Sequence, residues 1–428
     1  MSLSRRDFTR LLAVGTAAPL LPAVSAGHST ERPRDITPRP APASPTEAYW
    51  DDLRTKFSLV EGLAFINASN LCPTSFAVLD ALEKGTRQLD GDPSSATKGI
   101  LSAQREVTRR ALAAMLGATP EEIVIVRNTS EANNLVSSGL QLGAADEVIT
   151  FADNHPSNLA AWREKAKRFG FTVTTLPSPT PHPGPDYYVD AVARAITART
   201  RLVAFTHVTN SVGDLLPAEA ICRLARSRGV MTLLDGAQTF GVLAVDLGRI
   251  QPDFYSGSAH KFPCGPKETG VLYINAAAHD RIFPSVVGVY PGAVGISRTM
   301  EATGQRDEAA MAALGTAIEF QRTVGHAAIE ARGRELAQFL MRELGRLPHV
   351  HLYTDPRPTH STTVVTLRPA SLDPRKLAAA LYERDHIAVT ARAGTDRPGI
   401  RLSPHLFNTM PELERTVAAV KRYLTTGV

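Results

Sequence analysis

The stretch Ser256-Gly257-Ser258-Ala259-His260-Lys261-Phe262-Pro263-Cys264-Gly265-Pro266 carries the most information about the fold. It follows the apolar-aromatic residues Phe254 and Tyr255, which predict a buried strand. Lys261 therefore falls just after a strand, with polar side chains before it and a Gly-Pro turn behind it. An amine withdrawn from water has a lowered pKa and can attack a carbonyl carbon to form a Schiff base. Most lysines in such surroundings take no part in catalysis. Whether Lys261 is a functional lysine therefore depends on partner residues elsewhere in the chain.

Strand-like runs alternate with amphipathic helices upstream of this stretch. The runs cover residues 122–126, 147–151, 172–176, 202–207 and 231–235, and a helix is expected at 218–227. This alternation predicts an α/β fold, a mostly parallel sheet with helices on both faces. Beyond Met300 the pattern changes to a long helix at 307–332, a second helix at 335–347, a strand–helix–strand unit and a last helix at 411–424. That second pattern predicts a smaller α+β domain.

The chain has 428 residues, of which 43% are hydrophobic, and a formal net charge of +5. Length and composition are those of a globular protein with room for two domains. No basic stripe interleaves with aromatic residues, so no nucleic-acid partner is expected. We divide the chain into a signal segment at 1–26, a proline-rich linker or arm at 27–46, an N-terminal arm at 47–65 that packs on the small domain, a large domain at 66–299 and a small domain at 300–428.

The N-terminus predicts export rather than fold. Ser4-Arg5-Arg6-Asp7-Phe8-Thr9-Arg10 resembles a twin-arginine motif, a short apolar run follows at 11–21, and Val24-Ser25-Ala26 is a small-residue cleavage site. The apolar run is too short to span a bilayer, and no cysteine follows the cleavage site. We expect the twin-arginine translocase to deliver a folded protein, without a membrane anchor, to the periplasm.

The cysteines and histidines predict neither disulfides nor metal. Cys72, Cys222 and Cys264 are widely spaced and form no paired pattern, and no metal-ligand spacing occurs. His349 and His351 alternate on an exposed strand, which favours a surface pair over a metal site.

Polar side chains recur where the predicted strands end. Asp235 closes the apolar run 230–234, and Gln238 follows three residues later. The carboxyl ends of neighbouring strands lie together in an open α/β sheet, so Asp235 is expected near Lys261. A carboxylate buried there needs a cationic partner, and a protonated pyridine nitrogen is one. The alternative is an ordinary strand-end aspartate that opens a turn.

An anion site is predicted after the strand 123–126. Thr129 and Ser130 stand where a helix begins, so that free backbone N–H groups and hydroxyls can hold a phosphate. Ser258 and His260 are placed to close around the same phosphate. Helix capping alone also explains Thr129 and Ser130, and this element is informative only together with the others.

Two further strand ends supply groups for an aromatic ring. His155 follows the strand 147–151 and can stack on a ring, and Asn210 follows the strand 202–207 and brings an amide near a ring hydroxyl. A pyridoxal 5'-phosphate site requires a lysine, an acid for the pyridine nitrogen, a phosphate cradle, a stacking partner and a donor to the ring hydroxyl. For His155 the alternative is a loop histidine with its hydrogen bonds satisfied.

Asp235-Gly236-Ala237-Gln238, followed by Ser258-Ala259-His260-Lys261-Phe262 and Gly265-Pro266-Lys267, resembles the class V branch of fold-type I pyridoxal phosphate enzymes. The similarity runs from about residue 60 to the C-terminus. This family includes cysteine desulfurases and isopenicillin N epimerase-like proteins. The resemblance implies a large domain around a mostly parallel seven-stranded sheet, a smaller C-terminal domain, and a homodimer.

The resemblance also implies individual roles. Lys261 is the Schiff-base lysine and acid–base, Asp235 binds the pyridine nitrogen and His155 stacks on the ring. Gln238 and Asn210 contact the ring oxygen. The residues expected to hold the phosphate are Thr129, Ser130, Ser258 and His260.

A C-terminal segment from Arg392 to Ser403 resembles the region that binds the substrate carboxylate in this family. Arg401 is the matching position, because a guanidinium presents a planar fork to a carboxylate, and Arg392 is the second candidate. A surface arginine is the alternative. Lys267 lies in the turn beyond the Schiff-base position and is not expected to bind the cofactor.

The chain departs from the family pattern in two places. Cysteine desulfurases carry a nucleophilic cysteine between these two arginine positions, and here the loop has none, which disfavours desulfurase activity. Cys264, beside the cofactor lysine, is interpreted as structural. In addition, Gln305 stands where the epimerase-like group has a threonine that reaches the neighbouring subunit's phosphate, and the chain departs from the family pattern at that contact.

The resemblance, together with the export signal, implies an exported enzyme that acts at the Cα of a free amino-acid head group. The substrate implied by the resemblance to exported members of this family is the glutamate of a pyoverdine-type peptide siderophore, modified by oxidative decarboxylation or transamination. An epimerase or aminotransferase of another peptide or small amino acid is the alternative. Two other classes are disfavoured: a serine acyltransferase, suggested by the S-x-x-K spacing at 258–261, and a non-catalytic homologue that keeps the cofactor.

Overall fold

A mixed sheet of seven strands organises the part of the chain described by this computed structural model, residues 35–428. The export signal at 1–26 and the first part of the Pro-rich linker, residues 27–34, lie outside the described residues. The strands of this chain are β1 (Ala64–Phe65), β2 (Ile123–Val126), β3 (Glu147–Phe151), β4 (Thr172–Leu176), β5 (Thr200–Thr206), β6 (Met231–Asp235), β7 (Phe254–Ser258), β8 (Gly270–Ile274), β9 (Val350–Leu352), β10 (Val365–Pro369), β11 (Ile387–Ala388), β12 (Thr390–Arg392) and β13 (Gly399–Leu402).

The order of the large sheet is β2-β8-β7-β6-β5-β3-β4. Strands β7, β6, β5, β3 and β4 are parallel, and β8 is antiparallel to both of its neighbours. The predicted mostly parallel sheet of seven strands is therefore confirmed. Since parallel neighbours end at the same edge, the residues that follow β5, β6 and β7 meet there.

Helices surround this sheet and a second, smaller one. They are α1 (Glu47–Arg54), α2 (Phe76–Gly91), α3 (Ser95–Leu116), α4 (Thr129–Gly139), α5 (Pro156–Phe169), α6 (Pro185–Ala195), α7 (Ala218–Ser227), α8 (Leu247–Ile250), α9 (Ser297–Met300), α10 (Glu308–Val324), α11 (His326–Gly345), α12 (Pro374–Asp385) and α13 (Met410–Thr426). Short 3₁₀ helices lie at Pro120–Glu122 and Ala276–Arg281.

Both faces of the large sheet are buried. Ile123 and Ile125 of β2 pack into one apolar cluster, and Val124 and Val126 pack into another on the opposite face. This alternation follows from the two-residue period of a strand, and it explains why the central strands are apolar throughout. The side chains on both faces hold the strand ends in fixed positions.

The predicted long helix at 307–332 is wrong in its extent. The chain instead forms α10 and α11, which are separated at Gly325. Gly325 has φ 99°, a conformation that glycine adopts readily and that ends a helix. Helix α10 packs against α2 and α3, and its residues Met311 and Leu314 belong to the core of the large sheet.

The C-terminal part is built around an antiparallel sheet of order β12-β13-β10-β9. Residues from α11, α12 and α13 cover it with one apolar cluster. The N-terminal arm reaches the same region, because β1 pairs in parallel with β11 and Asn67 bridges to Ser403. The chain between β1 and α2 is thereby held close to β13, while the domain boundaries themselves stay a prediction.

Among residues 35–428, no helix combines the length and apolar character that crossing a bilayer requires.

Candidate active site

The candidate site lies at the edge of the large sheet where β5, β6 and β7 end. Asp235, the last residue of β6, is in register with Thr206 of β5 and Ser256 of β7. The N-termini of α4 and α5 point to the same edge. The polar residues that the sequence placed at neighbouring strand ends therefore lie in one region of the structure.

Asp235 is buried, and its carboxylate accepts hydrogen bonds from uncharged donors. Oδ2 accepts from Asn133 Nδ2 at 2.9 Å and from Asn158 Nδ2 at 3.1 Å, and Oδ1 accepts from the backbone N of Ala237 at 3.1 Å. Ser256 fixes Asn133 by donating to its side-chain oxygen at 2.8 Å. These bonds stabilise and orient the carboxylate without neutralising its charge, so Asp235 can still pair with a cation.

Lys261 lies in the turn after β7, where Cys264 N donates to its carbonyl oxygen at 2.8 Å. Burial lowers the pKa of the Lys261 amine to about 8, with a smaller contribution from the charge of Arg401, while Asp235 opposes the shift. A larger fraction of the amine is therefore unprotonated near neutral pH than for a surface lysine. Only the unprotonated amine is a nucleophile.

His155 caps α5, and its Nδ1 accepts from Ser157 N at 3.2 Å. Burial lowers the pKa of His155, the charges of Lys261 and Arg401 lower it further, and Asp235 raises it. The neutral ring that results carries its proton on Nε2. The structure thus brings His155 together with Lys261, Asp235 and Arg401, and the stacking role stays a prediction.

The start of α4 has the features of an anion site. Asn128 is the N-cap and accepts from Glu131 N at 3.0 Å, so Thr129 is the first helical residue. Thr129 N donates to Ser258 Oγ at 2.9 Å, and Ser258 Oγ donates to Thr129 Oγ1 at 2.9 Å. These bonds join the end of β7 to the first turn of the helix, where backbone N–H groups favour an anion. Ser130 is exposed beside them.

His260 precedes the lysine and contributes no charge at neutral pH. Burial lowers the pKa of His260 to about 4, and the charges of Lys261 and Lys267 add to the shift. Lys267 itself is exposed, and its Nζ donates to Thr74 Oγ1 at 3.1 Å. The prediction that Lys267 does not bind the cofactor stays a prediction.

Gln238 and Asn210 lie at the site in different ways. Gln238 is buried, its Nε2 donates to the Ser69 carbonyl at 3.1 Å, and its Oε1 has no partner in the protein. Asn210 offers its backbone carbonyl, which accepts from Arg401 Nη1 at 2.9 Å. The predicted contact between the Asn210 amide and a ring hydroxyl stays a prediction, whereas a role in positioning Arg401 was missed.

The three C-terminal arginines differ in charge pairing. Arg397 forms an ion pair with Asp153 and donates to Thr180 Oγ1 at 3.0 Å. Arg401, on β13, is 6% exposed, and none of the carboxylates in the described part of the chain forms an ion pair with it. Burial, followed by the charge of Arg392, lowers the pKa of Arg401 to about 10. A buried guanidinium without a counter-ion is a strong site for a carboxylate.

Arg392, on β12, is half-buried and has an unpartnered Nε. Burial lowers its pKa, and the charge of Arg397 adds to the shift. Both arginines that the sequence nominated are therefore available to an anion, and Arg401 is the one whose charge reaches Lys261 and His155.

A family model for "Aminotransferase class-V" matches residues 68–415. The chain belongs to this family. Isopenicillin N epimerase of Amycolatopsis lactamdurans is 32% identical over 390 residues, which cover 87% of this chain and 98% of the relative. A probable cysteine desulfurase of Halalkalibacterium halodurans is 28% identical, with 84% of this chain and 93% of the relative covered.

A solved structure of a C-DES mutant with glycine covalently linked to its pyridoxal phosphate cofactor has a TM-score of 0.79 and 25% identity to this class V chain. The similarity covers 86% of this chain and 98% of C-DES. These comparisons confirm the fold-type I architecture, the class of enzyme and pyridoxal 5'-phosphate as the cofactor.

The residues of this class V enzyme fit the cofactor. Asp235 provides an anion with uncharged hydrogen-bond donors only, Gln238 Oε1 is a buried acceptor without a partner, and the first turn of α4 suits a phosphate. When bound, the cofactor supplies an electron sink for a substrate carbon. Lys261 would hold it covalently, and Asp235 would keep a proton on its pyridine nitrogen. His155 and the α4 residues would orient its ring and phosphate.

Sequence reasoning missed Asn133 and Asn158 as partners of Asp235. Both lie in stretches that the sequence singled out for other reasons, Asn133 in the helix after β2 and Asn158 near His155. An asparagine inside a helix is a weak signal, since its side chain usually faces solvent. The signal that could have found them is that each sits in the first or second turn of a helix that starts at the carboxyl edge of the sheet.

Proposed function

We propose that this protein uses pyridoxal phosphate to transform the Cα of a free α-amino-acid head group. The observation that carries the proposal is Arg401, a buried and unneutralised guanidinium close to Lys261 and His155. An α-amino acid presents an amine to the cofactor and a carboxylate to such an arginine. A guanidinium binds a carboxylate through two parallel hydrogen bonds, which fixes the orientation of the Cα substituents.

The residues of the chain divide the work as follows. Arg401 binds the α-carboxylate and is held by Asn210 O. Lys261 Nζ, with its lowered pKa, takes a proton from Cα and can return it. Asp235, held by Asn133 and Asn158, would hold the proton on the pyridine nitrogen when the cofactor is bound. Because these groups are buried, water has little access to the reacting carbon.

The preferred substrate is the glutamate of a pyoverdine-type peptide siderophore, and the preferred location is the periplasm. Support comes from the twin-arginine-like motif at Arg5 and Arg6, which favours export, and from the lysine context at 258–262, which resembles that of exported class V enzymes. The reaction would be oxidative decarboxylation, in which the amino acid and dioxygen give an amide, carbon dioxide and water. Transamination of the same head group is the variant of this proposal.

Epimerisation of a peptide or small amino acid is the second candidate. It is favoured by the 32% identity to isopenicillin N epimerase over nearly the whole relative. Desulfurase activity is disfavoured, although probable desulfurases are among the relatives, because no cysteine stands between Arg392 and Arg401.

We further propose that the enzyme is a homodimer. Five large apolar side chains are exposed within eight residues: Phe283, Val286, Val287, Val289 and Tyr290. Such a patch marks an interaction surface. Val286 also lines a cleft with Gln305 and Lys267 near the start of α4, so a second copy covering the patch would approach the anion site. A monomer by light scattering at micromolar concentration would contradict this proposal.

The test of the function is mass spectrometry of a siderophore precursor incubated in air with the holoenzyme. Oxidative decarboxylation removes the carboxyl carbon and keeps the nitrogen, transamination removes the nitrogen, and epimerisation leaves the mass unchanged but inverts Cα. Lys261→Ala is the control in which every product should vanish. If the precursor keeps its carboxyl carbon, its nitrogen and its Cα configuration while a simple amino acid is converted, the siderophore assignment is wrong.

A further inference from the structure

Arg392 and Arg401 lie on the same face of the small antiparallel sheet. Thr390 of β12 is directly opposite Arg401 of β13, and Arg392 follows Thr390 by two residues. Side chains alternate between the two faces of a strand, so Thr390, Arg392 and Arg401 share one face. Nη2 of Arg401 reaches Thr390 Oγ1 at 3.5 Å, in agreement with this register. Arg392 and Arg401 are thus diagonal neighbours, and the Cα atoms of such a pair lie about 7–8 Å apart.

This face of the sheet is turned toward the candidate active site. Arg401 donates to the carbonyl of Asn210 at 2.9 Å. Thr366 of β10, which is opposite Arg401 on its other side, donates to the carbonyl of Ser211 at 2.8 Å. Asn210 and Ser211 belong to the segment that follows β5, one of the strands whose ends border the site. The face that carries the two arginines therefore meets the edge of the large sheet where the site lies.

The other face of the small sheet is apolar. Ile400 and Leu402, which flank Arg401 along β13, belong to the cluster that packs under α11, α12 and α13. The alternation along β13 thus separates a core face from a polar face. Arg392 is on the polar face, so it is directed to the site side of the sheet and away from the core.

No carboxylate of the described residues, 35–428, neutralises Arg392. Its Nε is buried without a partner, and its guanidinium forms neither an ion pair nor a side-chain hydrogen bond within that range. The carboxylates whose charge acts on Arg392 are those of Asp153 and Asp396. Both are paired with Arg397, Asp153 through two nitrogens and the exposed Asp396 through Nε at 3.3 Å. Arg392 and Arg401 are therefore left without a counter-ion.

The two unpaired arginines repel each other. Burial, followed by the charge of Arg392, lowers the pKa of Arg401 to about 10. Arg401 is 6% exposed and Arg392 is half-buried, so water screens this repulsion less than it would at the surface. One carboxylate bound at Arg401 neutralises one of the two charges. A ligand with two anionic groups neutralises both and fits this face better than a ligand with one.

We propose that Arg392 binds a second anionic group of the substrate, so that Arg401 and Arg392 together select α-amino acids with a second carboxylate beyond Cα. This inference rests on the proposed function, in which Arg401 holds the α-carboxylate. Arg392 is the more exposed of the two arginines, and the part of the substrate beyond Cα extends toward it. Where the head group is joined to a larger molecule through its side chain, the second carboxylate belongs to the attached part.

The experiment measures the binding of glutarate and of its monoamide, glutaramate, to the purified holoenzyme by isothermal titration calorimetry. The two probes have the same length and differ by one negative charge. Succinate and adipate, each compared with its monoamide, cover a shorter and a longer separation of the charges. At the best length the dicarboxylate should bind at least ~10-fold more tightly than its monoamide, about the effect of one hydrogen bond between charged groups. None of the probes has an amine, so no turnover is involved.

Three variants locate the second charge. Arg392→Gln should bring the affinities of the dicarboxylate and the monoamide close together, and Arg392→Lys should restore part of the difference, because an ammonium keeps the charge without the planar fork. Arg384→Gln is the matched control. Arg384 is exposed on α12, the helix that packs on the opposite, apolar face of the small sheet. This variant should keep the wild-type preference.

The outcomes separate this inference from the proposed function. Equal affinities for dicarboxylate and monoamide at every length, or a preference that survives in Arg392→Gln, would show that Arg392 binds no second anion. Either result leaves the binding of an α-carboxylate by Arg401 intact. If neither the dicarboxylates nor the monoamides bind, the anion site at Arg401 is refuted, and the proposed function fails together with this inference.

Discussion

Arg401 lies close enough to Lys261 for its positive charge to add to burial in lowering the pKa of the lysine amine. The same guanidinium contributes to lowering the pKa of His155. A carboxylate bound at Arg401 would neutralise this charge. Substrate binding is thereby coupled to the protonation of the group that exchanges protons with Cα.

This coupling predicts a pH effect. The Lys261 amine has a pKa of about 8, so covalent reattachment of pyridoxal phosphate to the apoenzyme should accelerate as the pH rises through that value. In Arg401→Met a positive neighbour is gone, the ammonium form is favoured, and the midpoint should move to higher pH. Arg401→Lys keeps the charge and should stay near wild type. The measurement is the reattachment rate against pH, and equal midpoints in the three proteins would disprove the coupling.

Lys261→Ala should abolish turnover and the visible band of the covalently attached cofactor while leaving the fold intact. The reason is that Lys261 provides both the covalent attachment and the proton transfers. Lys267→Ala is the matched control, since Lys267 is exposed and bonded to Thr74. Absorption spectra of both variants, with circular dichroism for the fold, make the comparison. A band that survives in Lys261→Ala and disappears in Lys267→Ala would reverse the assignment.

Asp235→Asn should lower the rate of the chemical step by several orders of magnitude, because a neutral amide cannot keep a proton on the pyridine nitrogen. Asn158→Ala removes one donor to Asp235 at 3.1 Å and leaves the charge in place. Its effect should be smaller, on the order of one hydrogen bond to a charged group, about 1.5–3 kcal/mol at most. Single-turnover kinetics of the two variants test whether Asp235→Asn slows the chemical step more than Asn158→Ala does. Near-normal turnover in Asp235→Asn would refute the role of the carboxylate.

The sequence predicted the large sheet well because its strands are short apolar runs between clear turns. Strands β3, β4 and β6 and helix α7 have the expected bounds. The break at Gly325 was missed, because apolar periodicity continues across it from one helix to the next. Only the backbone conformation of that glycine ends α10.

The position of a site residue was predictable where its own strand sets that position, as for Asp235 and Lys261. It was not predictable where helices and loops distant in sequence meet. Asn133 and Asn158 reach Asp235 from two different helices, and Cys72, in the N-terminal segment, donates its backbone N–H to the carbonyl of His260. Such contacts depend on tertiary packing, and the local pattern around each residue is the same whether or not the partner is present.

The export prediction concerns residues outside the described structure. Replacing Arg5 and Arg6 by lysine should trap folded, cofactor-bound enzyme in the cytoplasm, because the twin-arginine translocase recognises the arginine pair and not only its charge. Cell fractionation followed by activity and absorbance measurements gives the answer. The same substitution at Arg10, outside the pair, is the control. Unchanged periplasmic activity in the double variant would overturn the prediction.

Arg401 should select substrates that carry a free α-carboxylate. Arg401→Ala should lose most of the affinity for amino-acid substrates and keep its cofactor, because the guanidinium is buried without a counter-ion. Cutting one partner from a charge-assisted bidentate pair in a closed site costs about 2–5 kcal/mol, roughly 30- to several thousand-fold in affinity. Arg401→Lys should recover only part of the lost affinity, since an ammonium cannot reproduce the two parallel hydrogen bonds of a guanidinium.

The measurement for Arg401 compares an amino-acid head group bearing a free carboxylate with the same molecule amidated there. Wild type should prefer the acid strongly, and Arg401→Ala should bind the two about equally. Arg392→Ala is the matched variant, because Arg392 is also free of a carboxylate partner but lies half-exposed. If Arg401→Ala still prefers the acid as strongly as wild type while Arg392→Ala does not, the carboxylate is bound by Arg392. Arg397 is the least suited of the three, since its charge is already neutralised by Asp153.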